Sequence, residues 1–582
     1  MNSDRAGQIR DAEELLFAGP QKPGVAKGLY LGQFVSDLVM PFPELPAEQQ
    51  VRLDAVLPEL KAFLDARLDP ASIDRQADIP RDVIHGLARL GVLGMAAPVE
   101  FGGRGFSQLA YCQVMEEVGS RCSSTSIFIN AHHSIGLRAL VLFGTPEQKR
   151  RWLPPLASGE KLAAFALTEP EAGSDAGNVQ TQASLSSDGS HFIFNGEKRY
   201  ITNAAFADVL TVMARTPDNK ITAFLVTPDM PGFVLTEPRM SKLGIRGTAT
   251  SRIAFRNMPV PKENILGEPG RGLKVALTVL DYGRATFGAC CTGAAKTCMR
   301  LAVAHANTRR QFGHTLGEFE LIKKKLARMA ADTYAMEAMT TVTASLIDSG
   351  HEDCKIETAM LKVMSSEALW RIVNDTFQIY GGAAYFTDQP LERMLRDARI
   401  NQIGEGANEV LASFIALAGL RGPGLQLQEM WDALHHPWSE LGKAWRIGLE
   451  RIGAAVHAPV VPLRSPQLRQ RAEHLGRLIR RFGAEVDRAL IHYREEILDR
   501  QYVQQRIAGA ALGLYAGACV LSRWDAELQN SNHAADSVGD SNEAADLYLR
   551  RSFRRVRRWL GELHENDDDL VTATANAALR QY

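Results

Sequence analysis

Apolar positions recur at helical spacing from residue 47 to about 160, as in VIHGLARLGVLGM, and the glycine turn FGGRGF leads into a further helical run, SQLAYCQVMEEVG. From about 165 to 268 the period changes to two, in HFIFNGEKRYIT, DVLTVMA, ITAFLVT and SRIAF. That alternation predicts strands, and Asn195-Gly196 predicts a hairpin turn between two of them. The helical period then returns in proline-free runs rich in Ala, Leu, Met, Glu and Lys at 271–300, 317–349 and 352–380, with a shorter helix at 408–419. The turn signal Arg421-Gly422-Pro423-Gly424 closes this bundle, an amphipathic stretch and the proline-broken HAPVVPLRSP follow, and helices resume at 467–525 and 541–563.

The pattern predicts a mainly α chain with a central β domain. Its expected parts are an N-terminal extension (1–46), an α domain (47–164), a β domain (165–270), a four-helix domain (271–420), an amphipathic linker (421–466) and a helical extension (467–582). A chain of 582 residues with 45% hydrophobic composition can bury several cores. Lys and Arg number 66 against 67 Asp and Glu, so no whole-molecule field favours nucleic acid or an anionic membrane. The opening MNSDRAGQIRDAEELLF has no apolar h-region and is acidic, which points to a cytoplasmic protein. Seven scattered cysteines follow neither disulfide-framework nor zinc spacing, and no uninterrupted apolar run of bilayer length occurs.

Chemistry concentrates in five segments. FALTEPEAGSDAGNVQT (165–181) sets backbone amides and small hydroxyls in a glycine-containing turn suited to the polar edge of a flat ring. KRYITN (198–203) ends a strand with an aromatic, a β-branched residue and a threonine, and RRQFG (309–313), QIYGG (378–382) and RINQIGEGANE (399–409) follow. Together, in this order and spacing, they resemble the acyl-CoA dehydrogenase family. The resemblance is closest to the very-long-chain branch with a C-terminal extension, and it reaches GLYLGQFVSDLVMPFPELP (28–46) and YVQQRIAGAALGLYAGACVLSR (502–523).

The resemblance implies an N-terminal α domain, a middle β domain and a C-terminal four-helix domain, with FAD between the last two and across a subunit interface. Phe165, Leu167 and Thr168 would line the flavin ring, Gly173 and Ser174 stand in the same cofactor turn, and Tyr200, Ile201 and Thr202 would cover its other edge. Arg309 and Phe312 would meet a neighbouring subunit's FAD, as would Gln378, Gly381 and Gly382, while Ala407, Asn408 and Glu409 start a helix beside the cofactor. Ser174 and the Asp281/Arg284 pair are similar to residues that touch the CoA portion, and the acyl end is expected beside Gly404, Glu405 and Gly406.

By the same resemblance Glu405 takes the α-proton of the thioester and flavin N5 accepts the β-hydride, giving a trans-2-enoyl-CoA. A glutamate of ordinary pKa near 4 is a weak base for an α C–H. The resemblance supplies enolate stabilisation through the Glu405 backbone N–H and a ribityl hydroxyl, and burial beside an apolar chain would raise the carboxylate. The family's other base position falls on Gly283, which cannot accept a proton. Tyr200, Glu320, Gly404 and Ala407 depart from the residues usual in the family. Ser126, Phe128 and Asn130, at the expected pocket floor, suggest medium-to-long acyl chains.

Electron-transferring flavoprotein is the expected acceptor and a homodimer the expected assembly. An acyl-CoA oxidase, or an assembly protein that keeps the fold, stand as alternatives. His132-His133 and His435-His436 lack metal-motif company and are expected to be structural. No dinucleotide or Walker-type glycine motif appears. Six arginines crowd LRRSFRRVRRWL (549–560), where pairing with acidic neighbours such as HENDDDL is expected in place of nucleic acid. Trp431, Trp438 and Trp445 mark 424–453 either as a peripheral membrane contact or as a helix packed within the extension.

Overall fold

In the computed structural model, which describes residues 24–351, 353–435, 451, 457–531 and 539–582, the sheet follows an N-terminal helical domain along the chain and precedes two further helical layers, the first of which packs directly on that domain. The N-terminal domain holds Ala47–Arg67, Arg81–Arg89 and Gln108–Arg121, whose apolar faces meet around Leu53, Leu60, Leu87, Tyr111 and Met115. Side-chain oxygens begin its helices where the sequence supplies them. Asp69 accepts from Ala71 and Ser72 N–H at 3.0 Å, Ser107 caps Gln108–Arg121, and Thr145 with Gln148 forms a capping box on Pro146–Ser158.

The sheet runs in the order β6-β7-β3-β2-β4-β5-β8, with β1 parallel to β4. Here β1 is Ala163–Ala166, β2 Gln182–Leu185, β3 His191–Thr202, β4 Val209–Arg215, β5 Ile221–Val226, β6 Phe233–Glu237, β7 Thr250–Pro261 and β8 Ile265–Leu266. The hairpin expected at Asn195-Gly196 is not one. β3 continues through it, and the pair sits at a register shift against β7, with Asn195 Oδ1 accepting from Asn257 N–H at 2.9 Å. A Cβ on Gly196 would lie 2.6 Å from Thr181 Oγ1, so close strand approach, not a turn, requires this glycine. The β2–β3 turn falls at Asp188-Gly189, where Asp188 accepts from Ser186 Oγ and Ser190 N–H.

Gly272–Thr308, Glu320–Asp348, Lys355–Tyr380 and Asn408–His435 form the next helical layer. The turn expected at Arg421–Gly424 is also absent: Asn408–His435 passes through it with Pro423 inside. Pro423 gives up its N–H there and its ring crowds the carbonyl one turn earlier, a cost offset by packing, since Pro423 is buried. Arg469–Tyr493, Gln501–Ser531 and Gly539–Gly561 pack onto this layer and share one apolar core with it, including Met336, Met339, Leu475, Leu514 and Phe553. Each fully buried leucine contributes about 1.5–3 kcal/mol, so the extension is part of the core and not a tethered appendage. Arg523 reaches Glu337 at 2.7 Å, Glu337 reaches Lys296 at 2.5 Å, and Lys296 reaches Glu116 at 2.6 Å, an ion-pair chain from extension to N-terminal domain.

The early helix Val25–Tyr30 also belongs to this side: Tyr30 donates to the Ile415 carbonyl at 2.8 Å and Ala26 N–H to Glu357 at 2.8 Å. In the arginine run, Arg551 meets Asp332, Arg550 meets Asp546 and Arg558 meets Glu562, whereas Asp568 of the acidic run pairs with Arg506 instead. Among the described residues three helical stretches reach membrane-spanning length and hydropathy, although charged residues interrupt them. Ser123–Phe143 and Gln501–Asn530 are 72% and 78% buried inside the protein, which accounts for their composition, while Asn408–Asp432 is 39% buried. Trp431 is exposed at its end; Trp438, Trp445 and His436 lie outside the described residues.

Candidate active site

A cavity of about 1350 Å³ opens where the sheet, the Ser123–Leu137 helical segment and the bundle meet. It gathers Phe165, Leu167, Thr168, Gly173, Ser174, Tyr200, Ile201, Thr202, Asp281, Arg284, Gly404, Glu405, Gly406 and Ala407, drawn from segments up to 242 residues apart. The 167–181 loop is held from beneath. Lys198 on β3 donates to the Leu167 carbonyl at 3.0 Å and to Glu169 at 2.6 Å, and Glu169 also accepts from Thr181 N–H and Oγ1 and from Gln180 N–H. Burial alone would raise the Glu169 carboxyl, but Lys198 and these donors hold it below its usual range; burial brings Lys198 down to about 8. This pair fixes a loop whose side chains face the cavity.

Glu405 lies in the short connection before Asn408–His435 at φ 56°, a left-handed conformation uncommon for a non-glycine residue. Its neighbour Gly406 has φ 97°. Lys362 clamps this connection, donating to the Gly406 carbonyl at 2.7 Å and to Asn408 Oδ1 at 2.9 Å, and Arg284 Nε donates to the Glu405 carbonyl at 3.4 Å. Asn130 Nδ2 donates to Glu405 Oε1 at 2.7 Å, while Oε2 is buried with no hydrogen-bond partner among the described residues. Burial pushes the Glu405 carboxyl up to about 7 against the lowering pull of Arg284, Lys362 and the Asn130 hydrogen bond. A carboxylate so placed can exchange a proton near neutrality.

Asp281 and Arg284 pair with each other at 3.2 Å, and Asp281 accepts from Thr358 Oγ1 at 3.0 Å. Burial raises Asp281 to about 6. The pair therefore braces the Glu405 segment as well as bordering the cavity. Of the expected pocket floor, only Asn130 faces it. Phe128 packs into the N-terminal core and Ser126 Oγ bonds to the Ser123 carbonyl, because one face of a helix lines a wall. The apolar wall is instead Ile127, Ala131, Ile135, Phe287, Leu411 and Phe414.

Arg309, Phe312, Gln378, Gly381 and Gly382 are not brought to this cavity. They are exposed, Phe312 at 91%, and neither Gly381 nor Gly382 has anything within 4 Å of a Cβ, although Gly381 holds φ 60°. Asn408 is buried, its amide tied to Ser366, Glu367 and Lys362, so its side chain braces the loop and does not reach the cavity; Glu409 is exposed. Glu320 begins its helix on the surface. The paired histidines are internal: His132 Nδ1 accepts from Ala163 N–H and His133 Nε2 from Ala96 N–H, each at 3.0 Å.

Sequence reasoning missed the Asn130, Lys362 and Glu169–Lys198 contacts. The signal available was a charged residue inside an otherwise apolar helix or strand, as in AMLKVM and EKRYIT. It also missed the cations around the cavity, Lys242, Arg271, Lys355, Arg396 and Arg399, which come from four separate segments.

Four family descriptions match the chain: acyl-CoA dehydrogenase N-terminal domain over 52–160, middle domain over 164–258, C-terminal domain over 270–420, and ACAD9/ACADV C-terminal domain over 466–578. The human mitochondrial very long-chain specific acyl-CoA dehydrogenase is 36% identical over 94% of this chain and 85% of its own length. A probable acyl-CoA dehydrogenase, FadE10, of Mycobacterium tuberculosis is 39% identical over 70% of this chain and 64% of its own. Among solved structures, an acyl-CoA dehydrogenase complexed with FAD from Bacillus anthracis superposes with TM-score 0.76 at 29% identity over 95% of each chain. Butyryl-CoA dehydrogenase from Megasphaera elsdenii does so with TM-score 0.61 at 34% identity over 65% of this chain and 99% of its own. The chain thus belongs to the acyl-CoA dehydrogenase family.

Proposed function

We propose that this protein dehydrogenates medium-to-long saturated fatty acyl-CoA to the trans-2-enoyl thioester, with Glu405 as the acceptor of the α-proton. As a family member it is an oxidoreductase acting on acyl-CoA. The observation that carries the assignment of the base is the Glu405 carboxylate, whose Oε2 is buried in an apolar-walled cavity with no hydrogen-bond partner among the described residues. Among the described residues the other carboxylates that border the cavity are Asp281, already bound to Arg284 and Thr358, and Asp175, which is exposed.

The cavity fits FAD: Phe165, Leu167 and Ile201 offer apolar contact, Thr168 and Thr202 offer hydroxyls, and a Cβ on Gly173 would meet nothing within 4 Å. Bound there, FAD would supply a two-electron acceptor for the β-hydride. The chain's own contribution is to hold the thioester beside Glu405, exclude water with Ile127, Ala131, Ile135 and Phe287, and keep the carboxylate ready for a proton. The cations Lys242, Arg271, Lys355 and Arg399 favour the phosphates of CoA and FAD, while Arg396 is held by Asp74 and Glu392. The exposed Arg309, Phe312, Gln378, Gly381 and Gly382 suit the cofactor of a second subunit in a homodimer, since none of the described residues fills the space at the two glycines.

Electron-transferring flavoprotein is the acceptor in this reading, and the outward-facing Leu425 and Trp431 are its point of peripheral contact with a membrane, on a protein otherwise placed in the cytoplasm. The test is anaerobic titration of the purified yellow protein with saturated acyl-CoAs of graded length. Bleaching should peak at medium-to-long chains, with reduction of a flavoprotein acceptor exceeding peroxide formation in air. No bleaching with any chain would sink the reading.

A further inference from the structure

Asn130 opens an eight-residue π-helical segment, Asn130–Leu137, between Ser123–Ile129 and Arg138–Phe143. Such wide turns are rare and concentrate at functional sites. The amide is 2% exposed, borders the cavity, and donates from Nδ2 to Glu405 Oε1 at 2.7 Å. Rotating the amide would set two acceptors against each other, so the contact itself fixes its orientation. Its own Oδ1 is buried without a hydrogen-bond partner among the described residues, and so is the remaining carboxylate oxygen, Oε2. Space for that oxygen is made by Gly283, whose Cβ would stand 3.1 Å from Oε2.

We propose that Asn130 is a positioning residue for the proton acceptor: by engaging Oε1 of Glu405 it fixes the carboxylate plane and leaves Oε2 as the oxygen that takes the substrate proton. The inference rests on reading Glu405 as the base. In the transfer the α C–H bond breaks, an O–H bond forms at Oε2, and the electron pair stays on the thioester. A donor on Oε1 stabilises the anion waiting to react and leaves the reactive lone pair uncovered. The other groups facing this carboxyl are Arg284, Cys290 and Cys291 from Gly272–Thr308 and Lys362 from Lys355–Tyr380; Asp281 and Glu367 stand behind them, beside Arg284 and Lys362. Arg284 and Lys362 hold backbone oxygens of the connection, so Asn130 is the one described residue that hydrogen-bonds the carboxylate.

Asn130→Leu keeps the volume and removes the donor, while Asn130→Asp sets a second carboxylate against the first. In the holoenzyme, infrared difference titration would follow the protonated Glu405 carboxyl, assigned by its absence in Glu405→Gln. Stopped-flow would follow flavin bleaching by saturated acyl-CoA against pH. Loss of one charge-assisted hydrogen bond should move the Asn130→Leu midpoint up by about one to two pH units, and Asn130→Asp at least as far. Above that midpoint, bleaching in Asn130→Leu should remain slower by about 10- to 100-fold from misorientation. Flavin content should stay normal in both.

A wild-type midpoint in either flavin-loaded variant would overturn the proposal, since a packing role moves stability without moving the titration. Should Asn130→Leu fail to fold, Asn130→Asp carries the same test. Bleaching that persists in Glu405→Gln would instead refute the base reading, whatever Asn130 does.

Discussion

Replacing Glu405 by Gln should change stability in a manner that depends on pH. In the folded protein burial lifts this carboxyl from the ordinary 4.5 to about 7, against Arg284, Lys362 and Asn130. A group raised on folding contributes stability that is present below its unfolded pKa and lost as pH rises through the folded one. The displacement, at about 1.4 kcal/mol per unit, is worth about 3 kcal/mol, lost between roughly pH 4.5 and 7. Glutamine has nearly the same shape and does not titrate. Denaturant unfolding of both proteins at pH 5, 6, 7 and 8 should therefore show Glu405→Gln gaining on wild type by about 2.5 kcal/mol across the series, the rest being lost below pH 5. Asp281 and Glu357, also raised by burial, titrate in both proteins and cancel in the difference. A difference that stays flat with pH would refute the claim that a raised, uncompensated carboxyl sits at this position.

Three further outcomes follow from the same geometry. Gly283→Ala would bring a methyl 3.1 Å from Glu405 Oε2 and 3.0 Å from Ile135 Cγ2, so single-turnover flavin reduction should fall about tenfold with flavin content unchanged; an unaltered rate would show that the carboxylate does not need this space. Lys362→Met leaves the Gly406 carbonyl and Asn408 Oδ1 without their donor, which should cost about 1–3 kcal/mol in unfolding and raise the acid limb of the rate profile, because a nearby positive charge is lost. Arg523→Met removes a partly buried partner from Glu337 and should destabilise the protein by about 1–3 kcal/mol, visible as faster proteolysis of the extension.

The alternation of helices and strands was legible because each layer buries one face, and that demand writes a period into the chain. Turn signals were less dependable where tertiary contact decides the backbone. Asn195-Gly196 satisfies a hairpin rule but serves a close approach to Thr181, while Asp188-Gly189, with the same signature, makes the actual turn. At Arg421–Gly424, neighbouring packing outweighs the propensity of Gly and Pro to break Asn408–His435.

At the site, the motifs drew Glu405 and the 165–174 and 200–202 segments together because their order along the chain carries that information. Whether Ser126, Phe128 or Asn130 faces the cavity depends on the rotation of one helix, which spacing alone leaves open. The contacts of Lys362 and Asn130 with the Glu405 segment span 44 and 275 residues, and no local pattern encodes such pairings. Arg309, Phe312, Gln378, Gly381 and Gly382 stay exposed and away from the cavity, and the second subunit proposed to use them would leave no pattern that a single chain could reveal.

The measurement that bears most directly on Glu405 as the base is anaerobic reduction of the wild-type and Glu405→Gln holoenzymes by the same saturated fatty acyl-CoA, read as loss of the yellow flavin absorbance. The account predicts that wild type bleaches at a rate rising with pH through about 7, and that Glu405→Gln binds flavin and thioester normally yet stays yellow. Bleaching of Glu405→Gln at a rate comparable to wild type would contradict it.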